Sequence, residues 1–173
     1  MTRIIEFALV AGISLAVLSS TLLAQAETTG DRTALGLALQ SAWLPLESAI
    51  VMSQSEGTPI SAKYEIDDGS TFQLSIYTMK AAGFSEVIVD YSAGMIMKVE
   101  TITDAGDLAA AQAQKDALAK ATRTLAEATA EVVNQNSGYR AVNATPSLDG
   151  EHPVVEVILF NGSDWKTVTG HLD

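Results

Sequence analysis

Apolar and polar residues alternate along this chain with two periods, and the switches between them mark out its elements. Between residues 31 and 56, Leu35, Leu39, Ala42, Leu46, Ala49 and Ile50 fall near one stripe of a 3.6-residue period, which predicts helix. Pro45 lacks a backbone N–H, so it either kinks that helix or starts a second one. Strands follow near residues 60–66, 71–79, 86–91 and 95–101. Phe72, Leu74 and Ile76 alternate with Gln73 and Ser75, as in a half-buried strand. Ser92-Ala93-Gly94 supplies the turn between the last two. Thr103-Asp104 reads as a helix start, and the alanine-rich residues 107–136 read as one long helix. There Ala111, Leu118, Leu125 and Val132 recur every seven residues, a spacing that suits a helix lying on its own sheet and also a dimeric coiled coil. Three more strands fall near 139–147, 154–160 and 165–172, with Val155, Val157 and Leu159 on one face. The pattern predicts an α+β fold, helices packed on antiparallel sheet.

The same pattern occurs twice. Displaced by 81 positions without a gap, the chain superposes Leu44 on Leu125, Ala49 on Ala130, Val51 on Val132, Gly57 on Gly138 and Asp68-Gly69 on Asp149-Gly150. Both glycines Gly57 and Gly138 close a helical stretch, and both Asp-Gly pairs are strong hairpin signals. Two copies of one helix-then-strands unit are expected, at residues 27–102 and 103–173, the second opening on the long helix.

Before the first unit stands an address. Met1-Thr2-Arg3 gives a basic start, an apolar run covers residues 7–23, and Ala24-Gln25-Ala26 has the small-x-small form read by signal peptidase. Glu6 is an unusual acid at the edge of that run. The run falls short of the roughly 20 clean apolar residues of a membrane span. Cleavage after Ala26 and export to a Gram-negative periplasm are expected.

Charge and composition then narrow the function. Acidic residues outnumber basic ones 21 to 10, for a net charge of −11. That leaves no electrostatic footprint for nucleic acid and favours cations and basic protein surfaces. The chain has no cysteine, which excludes disulfides, thiol nucleophiles and thiolate-ligated metal sites such as zinc ribbons and iron–sulfur centres. Its two histidines, His152 beside a turn and His171 near the end, have no recognisable motif partner. Neither a Gly-x-Ser-x-Gly elbow nor a phosphate-binding glycine loop occurs. No enzymatic activity is expected.

Hard-cation binding is the sharpest chemical expectation. Calcium-like ions take six to eight oxygen ligands. Glu65, Asp67 and Asp68 gather around one turn, Asp149 and Glu151 flank the equivalent turn, and Asp90 or Asp164 is placed to approach from neighbouring strand ends. The Asp-x-Asp-x-Asp-Gly template fails, because Tyr64 and Ile66 occupy its first and third positions. The competing reading is that Asp-Gly forms a type I′ turn while the acids keep edge strands soluble. Trp43, Phe72, Phe84, Phe160 and Trp165 read as core rather than as a ligand pocket, and Met95 and Met97, alternating with Ile96, as ordinary strand packing.

The order helix, glycine, strand, Asp-Gly turn, strand, and then Glu86-Val87-Ile88-Val89-Asp90-Tyr91-Ser92-Ala93-Gly94-Met95-Ile96 resembles the PepSY domain. Val89-Asp90 through Gly94 fit its usual tail, and Leu46-Glu47-Ser48-Ala49-Ile50 its opening helix. The second copy departs at Thr169-Gly170-His171, where Val-Asp is expected, and the chain stops before a final strand. The resemblance implies an exported, non-catalytic module that recognises a protein partner. A protease, restrained in trans, is the family's best-known association. The alternative is a protein that binds calcium, a lanthanide or another hard cation through the carboxylates named above.

Overall fold

The computed structural model describes residues 29–67 and 70–173. The expected signal at residues 1–26 and the pair Asp68-Gly69 lie outside the described residues. Helix α1, Thr29–Ala38, tightens into a 3₁₀ turn at Leu39–Ser41. Helix α2, Leu46–Met52, begins anew after Pro45, whose extended backbone (φ −64°, ψ 143°) caps it. A proline costs nothing there, since the N–H groups of a first turn have no intrahelical partner. The Pro45 carbonyl instead accepts from the N–H groups of Ser48 and Ala49, each at 3.1 Å. Pro45 therefore separates two helices instead of kinking one.

The expected long helix is likewise two. Helix α3 runs Ala105–Leu118 and helix α4 runs Leu125–Asn134. At the break, the N–H groups of Thr122 and Arg123 turn to the carbonyl of Leu172, at 2.8 and 3.1 Å. Thr124 then caps α4 through a reciprocal box with Glu127. This tertiary contact overrides the helix propensity of the alanines. It also cuts the seven-residue stripe, leaving Ala111 on one helix and Leu125 and Val132 on another, so no continuous coiled-coil seam forms.

Seven strands form one antiparallel sheet: β1 Thr58–Ile66, β2 Phe72–Lys80, β3 Gly83–Asp90, β4 Met95–Thr101, β5 Arg140–Asp149, β6 His152–Phe160 and β7 Trp165–His171. Their order is β4-β3-β2-β1-β5-β6-β7. The centre is the antiparallel pair β1 and β5, joined at Ala62 with Ala144 and Lys63 with Asn143. Shifted by 81 positions, α2 falls on α4, β1 on β5, β2 on β6 and β3 on β7, while β4 has no counterpart. Gly57 and Gly138 both take positive φ, 142° and 86°, between helix and strand. The two turns after β1 and β5 differ, however. Ile66 and Phe72 flank a five-residue connection closed by the Ser70 N–H on the Asp67 carbonyl at 2.8 Å. Asp149 and His152 flank only Gly150 and Glu151. Of these two, Gly150 alone has positive φ, 60°. A type I′ turn needs positive φ at both central positions, so the expected Asp-Gly I′ turn is replaced by a glycine-first turn.

One buried cluster joins helices to strands. Leu46, Ala49 and Ile50 of α2 and Leu125, Ala128 and Val132 of α4 meet Tyr64, Leu74, Ile76, Val87, Val89, Val155, Val157 and Leu159. Two buried polar side chains bond back to helix carbonyls: Thr129 Oγ1 donates to Leu125 O at 2.7 Å, and Ser53 Oγ, just past the end of α2, to Ile50 O at 2.9 Å. Phe160 stacks on Trp165 and Phe72 on Tyr64, with centroids 4.3 and 5.7 Å apart. Two core expectations are corrected. Trp43 is 63% exposed, and Met95 and Met97 are 58% and 67% exposed. Trp43 lies on the linker before Pro45, outside both helices, and the methionines lie on an edge strand with no neighbour beyond it among the described residues.

Candidate functional site

The antiparallel order separates the candidate carboxylates. Asp67, Asp90 and Asp164 occupy one end of the sheet, at the turns after β1, β3 and β6, whereas Asp149 and Glu151 occupy the other. A strand of this length spans about 30 Å, so the two groups cannot share an ion.

Most of these acids already have partners. Glu65 pairs with Lys63 at 2.5 Å, and Glu151 with Lys120 at 2.5 Å. Asp67 Oδ1 accepts the Thr71 N–H at 2.7 Å. Asp90 Oδ1 accepts the Ser92 hydroxyl and N–H, both at 2.7 Å, and the Ala93 N–H at 2.8 Å. These bonds, the Ser92 hydroxyl first, hold the Asp90 carboxyl below the usual carboxylate range. Asp164 accepts from Ser163 Oγ at 3.2 Å within the β6–β7 turn. Asp149 ends β5, and Asp68 lies outside the described residues. Among the described residues no group of three or more His, Asp or Glu side chains is placed to hold a metal ion.

A cleft of about 680 Å³ opens among Ile50, Pro59, Met79, Leu118 and Leu125, with Lys115 and Arg123 also lining it. Arg123 is engaged by Glu131 and by the His171 carbonyl. The cleft lining contains neither carboxylate nor histidine.

The β4 edge is different in kind. Met95, Met97 and Val99 are 58%, 67% and 42% exposed along one strand. At the start of β4, Trp43 donates its indole N–H to Ser92 O, and Gly94 turns with φ 65°. A Cβ on Gly94 would come within 3.8 Å of Trp43 and 3.9 Å of Met52, so the β3–β4 turn is close to both apolar side chains. The Ile102 N–H bonds to Phe84 O at 3.0 Å, which makes this a hydrogen-bonded pair of the ladder. In an antiparallel ladder such pairs alternate. Glu86 with Glu100 and Ile88 with Lys98 are therefore the next bonded pairs, and the N–H and C=O of Val99 and Thr101 point away from the sheet. A register shift between Ile88 and Val89 marks a bulge at Met97.

Sequence reasoning placed Met95 and Met97 on a strand but missed that the strand is an edge. The one available signal was the mixture of apolar residues with Lys98 and Glu100, which suits a strand with no neighbour on one side. No protein-family model, no curated protein and no solved structure matches this chain. No single described helix is long and apolar enough to cross a membrane.

Proposed function

We propose that this chain is an exported, non-catalytic module that recognises another polypeptide along the β4 edge of its sheet. The observation that carries the reading is an edge strand that, among the described residues, has β3 on one side and no partner on the other, presenting Met95, Met97 and Val99 to solvent with outward backbone donors and acceptors at Val99 and Thr101. Strand addition uses these features: main-chain bonds give affinity, and alternate side chains give selectivity. Apolar edges left uncovered are an aggregation hazard, so one that is kept calls for an occupant.

Within this proposal the chain comprises two PepSY-like units sharing one sheet. The 81-residue correspondence of α2, β1, β2 and β3 with α4, β5, β6 and β7 supports that division, and β4 is the strand the second unit lacks. A periplasmic location and a protease among the partners follow from the signal-like N-terminus and the PepSY resemblance.

Because the chain has no cysteine, Met97→Cys creates a unique attachment point for a photo-crosslinker. Irradiation in periplasmic extract is expected to trap a polypeptide at position 97 and not at Leu37→Cys, an exposed control on α1. If position 97 traps nothing, the chain itself included, at low and moderate salt, the reading fails.

A further inference from the structure

We infer that the strand received by the β4 edge is β4 of a second copy of this chain, paired antiparallel about a two-fold axis at Val99. The inference rests on the edge-recognition reading and supplies its occupant. Two identical antiparallel strands can exchange main-chain bonds only where outward-facing residues oppose one another, and here those are Val99 and Thr101. Three registers bring the charged segment into contact. Centring on Lys98 sets two ammonium groups opposite each other, and centring on Glu100 sets two carboxylates opposite each other. Like charges directly opposed destabilise a ladder.

Centring on Val99 does the reverse. Lys98 then faces Glu100 of the other copy, twice, while Val99 meets Val99 through its outward N–H and C=O. Within one chain Lys98 and Glu100 already pair at 2.7 Å, with side chains 60% and 50% exposed. The dimer would set two such pairs head to tail, a square of alternating charges. On the opposite face it would cover Val99, now 42% exposed. The bulge at Met97 ends the ladder, so about five residues of each strand take part. The net charge of −11 on each chain opposes association, and salt screens that repulsion.

Sedimentation equilibrium of the whole chain in about 0.15 M salt tests this. The wild type is expected to dimerise. Lys98→Glu and Glu100→Lys, each alone, put like charges opposite one another at both crossings and should weaken the dimer by about tenfold or more. Mixing the two variants restores both crossings, so a heterodimer near wild-type affinity should appear only in the mixture. Val99→Pro removes an outward N–H without touching a bond inside the sheet, and should leave a folded monomer whose melting temperature, unlike that of the wild type, does not depend on protein concentration. A monomeric wild type, a dimer indifferent to either charge reversal, or a mixture that stays monomeric overturns the inference. A monomeric wild type whose position 97 still crosslinks a different protein would leave the edge reading standing without its self-pairing occupant.

Discussion

The guanidinium of Arg140 lies over the ring of Tyr64, with Cζ 5.2 Å from the ring centroid, and both side chains donate to the carbonyl of Leu44. One residue comes from β5 and the other from β1, so the two central strands jointly hold the linker ahead of α2. Arg140 also donates to the carbonyls of Ala42 and Leu39. Hydrogen bonds to a charged donor contribute about 1.5–3 kcal/mol each, and a neutral one about 1. Arg140→Met should therefore cost about 2–4 kcal/mol and Tyr64→Phe about 1 kcal/mol in urea titrations at pH 7.

Tyr64 also sets an alkaline limit. Burial pushes its phenol from 10.0 up to about 12, against the opposing pull of Arg140. The unfolded phenol loses its proton first, so this contribution is complete below pH 10 and is lost as pH rises towards 12. Tyr64→Phe should flatten the decline in stability over that window. It should not abolish it, because burial and Glu86 raise the Tyr77 phenol as well.

Gly170 seats α4 on β7. A Cβ there would fall 2.8 Å from Val132 Cγ2 and 3.2 Å from Val155 Cγ1. Gly170→Ala should cost about 1–3 kcal/mol, the usual range for overpacking. Val132→Ala opens the needed space, so the double variant should recover part of that loss. A double-mutant cycle by thermal melts measures the coupling, and additive costs would refute the contact.

The strands were legible because period-two alternation is local, and so was the helix start at Asp104, whereas Pro45 left a kink and a second helix equally open. The break between α3 and α4 was not. It depends on the Leu172 carbonyl, which reaches Thr122 and Arg123 from the far end of the chain, while the local alanines favour continuous helix. Sheet order was equally hidden, since the joint between β1 and β5 rests on two residue pairs of unremarkable composition. For the same reason the edge status of β4 was nearly illegible: Met95 and Met97 read as ordinary strand packing until the sheet order is known, and only Lys98 and Glu100 pointed to an edge. The carboxylates were legible as residues, but not their separation to opposite ends of the sheet.

The Thr124 cap is a further test of that break. Its side chain accepts the Glu127 N–H at 3.2 Å, and Glu127 returns bonds to the Thr124 N–H and hydroxyl at 2.9 and 2.8 Å. Thr124→Ala should cost about 1 kcal/mol. The Thr124 N–H, and then its hydroxyl, hold the Glu127 carboxyl below its ordinary value. That contribution is present above the unfolded carboxylate range and is lost as pH falls through the folded value. The gap between wild type and variant should therefore narrow in acid, and carboxyl NMR should show Glu127 titrating closer to its ordinary value in Thr124→Ala.

Calcium and lanthanum are expected to leave the melting temperature unchanged at matched ionic strength. Asp67 and Asp90 are spent on backbone N–H groups, Glu65 and Glu151 on lysines, and Asp149 and Glu151 sit at the end of the sheet away from Asp67. A filled site at 100 times its dissociation constant would add about 2.7 kcal/mol, which is easily read as a shift after prior chelation. A saturable rise that disappears in Asp67→Asn would raise hard-cation binding from the alternative to the leading reading, with Asp67 re-aimed from the Thr71 N–H to the ion. A flat response would leave these acids as turn caps and solubilising charge.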